Sequence, residues 1–245
     1  MTVRSVTSNQ IDIYKNLEAV VRKYAATTFL RPVADHTREA FEMASDFVRS
    51  FYGSKATGRL DLVLDSGCGT GESTLHLARK FPNVPVIGID KSAVRLSKVG
   101  NERQLEVSAG GSCDVPANAF WVRAELLDFW RLALEKVNAG EWNVLHHALY
   151  YPNPWPKESE ATRRFHLHPI FPVLMCLSPV TELRTNWEIY AREYKEAARI
   201  AGDCLSLNVG AECSAFSPEN PETAFERKYQ TAGQELYRVV VKAIK

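Results

Sequence analysis

The sequence predicts a doubly wound α/β fold: a seven-stranded, mostly parallel sheet with one antiparallel strand, preceded by N-terminal helices. Three observations carry this. Short apolar runs alternate with segments of helical period, which is the pattern of βαβ units. A glycine-rich turn joins the first run to the first of those helices, as ligand-binding turns do in such sheets. The last apolar run follows its predecessor with no crossover helix evident between them, so it returns antiparallel.

Each element can be justified in order. Ile13, Leu17, Val20, Val21 and Tyr24 recur at helical spacing, and Phe41, Ala44, Phe47, Val48 and Phe51 do so again before Gly53. Residues 1–55 therefore read as a helical extension and 56–245 as the main domain. The alternation then runs LDLVLD, STLHLARKF, VPVIGID, AVRLSKVGNER, FWVRAE, FWRLALEKV and NVLHHALYY. The Gly, Ser and Pro content of Leu105 to Asn118 marks an irregular excursion before the third strand. After Trp155 come a helix around FPVLMCL, a strand TELRTN, a helix WEIYAREYKEAARIAG, a sixth strand CLSLNVG and the closing strand ELYRVVVKAI.

Composition narrows the function. Hydrophobic residues make up 45% of 245 positions and charged residues 24%, the balance of a domain that buries a full core. Thirty Lys and Arg against 29 Asp and Glu leave a formal charge of +1, so a nucleic-acid partner would need a local basic patch. No stretch approaches the ~20 apolar residues of a membrane span, and MTVRSVTSNQ lacks a secretory apolar run. A soluble, cytoplasmic protein is the expectation. Cys68, Cys113, Cys176, Cys204 and Cys213 are odd in number and never form C-x-x-C, which argues against a zinc cluster or a disulfide framework. His146-His147 and His166-x-His168 lack a third ligand at metal-site spacing, so no metal is expected.

The turn after the first strand reads Ser66-Gly67-Cys68-Gly69-Thr70-Gly71-Glu72, with Asp65 before it. Glycines at alternate positions permit a tight turn and a close ligand approach. A dinucleotide G-x-G-x-x-G would place its third glycine where Glu72 stands. The next strand ends in Asp90, placed either to accept hydrogen bonds from two ribose hydroxyls or to cap the following helix. Glu125 ends the third strand and is either an adenine-side contact or a surface charge. After the fourth strand, three prolines in Pro152-Asn153-Pro154-Trp155-Pro156-Lys157 forbid helix and ladder alike, giving a rigid loop at the sheet's carboxyl edge. By itself, the Thr223 to Glu226 spacing is that of a helix capping box.

The G-x-G-x-G turn resembles the first motif of class I methyltransferases, and the proline loop resembles the P-D-P-W-P-K loop of the tRNA (guanine-N7)-methyltransferase family. Asn153 stands where that family has Asp, and Arg163-Arg164-Phe165 follow as its paired arginines do. Leu183-Arg184-Thr185-Asn186-Trp187 is similar to its L-x-T-D-W segment, and Thr223 to Lys228 to its T-x-F-E-x-K motif. The resemblance spans residues 60 to 242. It implies S-adenosylmethionine as cofactor, held by Gly67, Gly69, Gly71 and Asp90, with Asp65 before the turn and Glu125 after the third strand as further candidates beside them. It further implies tRNA as partner, a methyl-transfer site of Asn153, Thr223 and Glu226, and RNA contacts by Lys157, Arg163, Arg164 and Lys228. Guanine N7 has a free lone pair, so its attack on a sulfonium methyl needs alignment more than a base. Glu226 would offset the positive charge building on the purine, or else read the guanine Watson–Crick edge. Two other readings remain beside it: an amino-group methyltransferase with a variant Asn-Pro loop, and a non-catalytic RNA-binding relative.

Overall fold

A computed structural model of the chain describes residues 6–99 and 115–244. In order, its elements are α1 (Leu17–Ala25), α2 (Asp35–Tyr52), β1 (Leu60–Ser66), α3 (Glu72–Lys80), β2 (Val86–Asp90), α4 (Ala93–Leu96) and β3 (Ala119–Arg123). There follow α5 (Leu126–Asn138), β4 (Trp142–Tyr150), α6 (Phe171–Leu177), β5 (Val180–Thr185), α7 (Glu188–Leu205), β6 (Asn208–Phe216), α8 (Ala224–Thr231) and β7 (Leu236–Ile244). The seven strands take the order β3-β2-β1-β4-β5-β7-β6. This is the predicted class: a mostly parallel sheet with β7 antiparallel.

The chain divides into two compact units, residues 32–148 and residues 1–31 with 149–245. In the first unit β1 pairs in parallel with both β2 and β4, and β2 pairs with β3. Leu62, Val63, Leu64, Val86, Ile87 and Ile89 are fully buried. Strands covered on both faces read as continuous apolar runs, which is why LDLVLD and VPVIGID were legible. The chain order reverses at β1, so the turn after it lies at a topological switch point, where α/β sheets bind ligands.

In the second unit β7 runs antiparallel to both β5 and β6, and α1 and α6 pack with α7. Two expectations need correction here. Cys204 and Leu205 belong to the last turn of α7, which stops at Ser206 in the left-handed region (φ 56°), and the sixth strand is Asn208–Phe216. That strand alternates exposed and half-buried positions and carries Gly210, Glu212 and Ser214, so it has no apolar run, whereas the helix's apolar last turn mimics one. The link from β6 to β7 also contains a helix, α8. Within AVRLSKVGNER, α4 covers Ala93 to Leu96 and Val99 is helical again, while residues 100–103, like the excursion from Leu105 until Val115, lie outside the described residues. No described helix is long and apolar enough to cross a membrane.

Candidate functional site

In the unit of residues 32–148, the end of β1 is tied to the start of α3. Asp65, 1% exposed, accepts hydrogen bonds at Oδ2 from Ser73 Oγ (2.7 Å) and Thr74 Oγ1 (2.6 Å). The turn between them needs its glycines for two different reasons. Gly67, Gly69 and Gly71 all have positive φ (80°, 60° and 88°), but only at Gly71 would a Cβ collide, 2.6 Å from Trp121 Nε1. At Gly67 and Gly69 a Cβ would meet nothing within 4 Å, so the turn leaves open space on its outer side.

The turn hangs on the end of β2. Gly67 and Cys68 donate their N–H groups to Ile89 O, and Gly69 N donates to Asp90 Oδ2 at 3.1 Å. Asp90, 3% exposed, also accepts Ser92 N at Oδ1 (2.7 Å), and Arg95 Nη1 lies 3.5 Å from Oδ2. Asp90 does not cap the next helix: Ser92 does, accepting from Arg95 N. A carboxylate has about four acceptor positions, so one that meets two backbone donors and a distant guanidinium retains capacity for hydroxyl donors. Glu125 is half-buried at the N-terminus of α5 without a side-chain cap bond, and its N–H donates to Thr37 Oγ1. Behind the turn Trp130 Nε1 donates to Ser66 Oγ, which lies 2.8 Å from His147 Nε2. Burial, reinforced by His146, pushes the His147 imidazole down to about 3, so it is neutral.

In the unit of residues 1–31 and 149–245, two motifs distant in sequence meet. Tyr151, with φ 51°, donates its hydroxyl to Glu226 Oε1 at 2.9 Å. Arg184 Nη1 donates to both Glu226 oxygens (3.0 and 3.1 Å), and Glu222 N donates to Oε2 at 2.6 Å. Glu226 is fully buried and accepts four hydrogen bonds, which fills its acceptor positions. Of the two roles expected for it, offsetting charge on the purine or reading the guanine edge, the structure shows a carboxylate paired with Arg184 and with its acceptor positions occupied. Thr223 Oγ1 accepts Glu226 N at 3.0 Å, the capping bond of α8.

Arg184 itself lies over the Tyr150 ring at 4.4 Å and bonds Glu182 at 2.7 Å. Burial works against its charge, but Tyr150, Glu182 and Glu226 outweigh that and raise its pKa. Burial and Glu226 likewise raise the Tyr151 hydroxyl, keeping it a donor. Asn153 is exposed, and its Oδ1 accepts Trp155 N at 3.3 Å.

Residues 60–239 match the protein family described as "Putative methyltransferase". The chain belongs to that family. It is similar to the tRNA (guanine-N(7)-)-methyltransferase of Neisseria meningitidis (26% identity over 74% of this chain and 71% of that protein). A similar relative is the enzyme of the same name from Nitrosomonas europaea (25% identity, 78% of each chain). Among solved structures, an antibiotic-related methyltransferase superposes with a TM-score of 0.50 at 16% identity, over 91% of this chain and 98% of that one, which speaks to the fold. The protein is thus an S-adenosylmethionine-dependent methyltransferase of class I.

The basic residues of this methyltransferase separate by burial. Lys157 and Lys228 are exposed. Arg163, with 58% of its side chain exposed, pairs with Glu160 (3.1 Å) and lies over the Trp155 ring at 4.6 Å. Arg164 is fully buried, which corrects its assignment to a phosphate-binding surface. Its donors go to Glu193 (2.9 and 2.7 Å), Gln10 Oε1 (2.9 Å) and the Trp155 carbonyl (3.2 and 2.9 Å). Burial pushes the Glu193 carboxyl up, but His166 and Arg164 outweigh it and hold the group at about 2. Sequence reasoning missed Tyr151, Arg184, Glu193 and Gln10. For Glu193 a signal existed: it shares the apolar face of α7 with Tyr190 and Ala197, where an acid is out of place.

Proposed function

We propose that this methyltransferase transfers the methyl group of S-adenosylmethionine to N7 of a guanine in tRNA. The observation that carries the reading is the 2.9 Å hydrogen bond from Tyr151 to Glu226, which joins the proline loop to the T-x-F-E segment across 75 positions of sequence. Those two segments are the ones that resemble the acceptor motifs of the guanine-N7 family, and the names of the relatives point the same way.

The residues fit the cofactor. The open outer side of Gly67 and Gly69 admits a bulky ligand against the backbone, and Asp90 has acceptor capacity for the ribose hydroxyls. When bound, S-adenosylmethionine supplies a methyl group on a positively charged sulfur. The chain's own residues then align the acceptor. Thr223 and Glu226 act as positioning residues: Thr223 fixes the first turn of α8, and Glu226 holds Tyr151 and so the start of the loop. Asn153, exposed on that loop, carries amide donors suited to guanine O6, an acceptor beside N7. Lys157, Arg163 and Lys228 meet RNA phosphates.

The test is methylation of unmodified tRNA and of total RNA with labelled S-adenosylmethionine, followed by mass analysis of nucleosides. N7-methylguanosine from tRNA is expected. Methylated adenosine, or no labelled nucleoside from any RNA, overturns the assignment.

A further inference from the structure

We propose that the N-terminal segment, residues 8–14, straps the proline loop in place, and that Glu193 is the positioning residue through which it acts. Calling that loop the acceptor loop rests on the function proposed above; the strap itself does not.

The loop needs an external hold. Its prolines at 152, 154 and 156 remove three N–H donors, and Trp155 sits at φ 45°, a left-handed conformation that an aromatic residue keeps only when its surroundings over-determine it. Two of the loop's carbonyls are held from outside. The Trp155 carbonyl accepts two hydrogen bonds from Arg164, and the Pro156 carbonyl accepts one from Ser8 Oγ at 2.6 Å. Arg164 is aimed in turn by Glu193, both residues being fully buried.

Glu193 is where the strap is fastened. Its Oε1 accepts Gln10 Nε2 (2.6 Å) and Tyr14 N (2.7 Å), while Gln10 Oε1 accepts Arg164 Nη2 (2.9 Å). His166 Nε2 lies 2.8 Å from Oε2, and since burial lowers its pKa the neutral ring donates from that nitrogen. Gln10 thus bonds both members of the buried pair that holds Trp155. The family match begins at residue 60, so Ser8, Gln10 and Tyr14 lie outside it, whereas the loop, Arg164 and Glu193 lie inside.

The experiment uses the full-length Ser8→Ala/Gln10→Ala double variant, which loosens the strap without leaving Arg164 unpaired as Glu193→Gln would. Hydrogen exchange, S-adenosylmethionine affinity and methylation kinetics are measured on it and on the wild type. Exchange of amides in residues 155–164 should accelerate about tenfold while amides in residues 60–90 keep their rates. S-adenosylmethionine affinity should stay constant, and kcat for RNA methylation should fall about fivefold or more with the KM for S-adenosylmethionine unchanged. Unchanged exchange in 155–164, acceleration spread over the whole chain, or faster loop exchange with wild-type kcat would each overturn the proposal. A wild type that methylates no guanine defeats the functional reading alone, because loop exchange still decides the strap.

Discussion

Replacing Glu226 with Gln removes one negative charge from a cluster in which Glu182, Glu222 and Glu226 all face the Arg184 guanidinium. Arg184 lies 2.7 Å from Glu182, 3.0 Å from Glu226 and 3.8 Å from Glu222. A glutamine amide can keep one acceptor, and the geometry says which: an Nε2 on the Oε2 side would face Glu222 N–H and Arg184, two donors. On the Oε1 side it would face Arg184 and the Tyr151 hydroxyl, which can reverse and accept. The variant therefore loses one charge-assisted bond, about 1.5–3 kcal/mol, rather than the roughly 3–5 kcal/mol of a guanidinium left unpaired, because Glu182 remains. For a chain of this length that is a fall in Tm of about 3–12 °C by thermal denaturation. Turnover should fall in Glu226→Gln and in Tyr151→Phe alike, with non-additive effects in the double variant, since both act through the same bond. A wild-type Tm would refute the ion-pair argument. Loss of turnover in Glu226→Gln with a fully active Tyr151→Phe would show that Glu226 acts on the acceptor by its charge and not by holding the loop.

Four further outcomes are expected. Asp90→Ala should weaken S-adenosylmethionine binding more than tenfold, about 1.5–3 kcal/mol by calorimetry, since it removes the proposed ribose acceptor and the anchor of Gly69 N; equal affinities would move the cofactor elsewhere. Gly71→Ala should destabilise more than Gly67→Ala in urea titrations, because both carry the left-handed cost of about 1 kcal/mol but only the former drives a Cβ against Trp121; equal losses would count against the packing argument. His147 has a folded-state pKa of about 3, below its ordinary 6.5, so the unfolded chain binds the extra proton and this group's contribution to stability falls as pH drops below 6.5, by roughly 2 kcal/mol at pH 5; His147→Asn should make that limb shallower without abolishing it, because burial also lowers His166 and His168, while Glu193, held at about 2, adds its own loss only below the ordinary carboxylate range. Lys157→Ala with Arg163→Ala should reduce the salt dependence of tRNA binding at unchanged Tm, whereas Arg164→Ala should lower Tm; the reverse pattern would return Arg164 to the RNA surface.

What the sequence made legible is what neighbouring residues decide among themselves. β1 and β2 were readable because strands buried on both faces are apolar without interruption, and the glycine turn because three positive φ angles within five residues leave few other choices. β6 was misplaced because an edge strand with small and polar residues carries a weaker signal than the helical turn before it. Asp90 looked like a cap, since the sequence shows two cap-forming residues, Asp90 and Ser92, and only the backbone turn decides which one reaches the helix.

The unit of residues 1–31 and 149–245 was less legible because long-range ion pairs organise it. Nothing local separates Arg163 from Arg164; what separates them is Glu193, 29 positions on, and Gln10, 154 positions back. Arg184 was visible inside a motif, but its partner Glu226 stands 42 positions away. The same pairing revises the charge argument. If Glu226 is committed to Arg184, the neutral Asn153 is not balanced by one spare carboxylate elsewhere. What Glu226 supplies in this arrangement is the hold on Tyr151, so its contribution is to be read in the position of the loop that follows Tyr151 rather than in a charge set against the neutral Asn153.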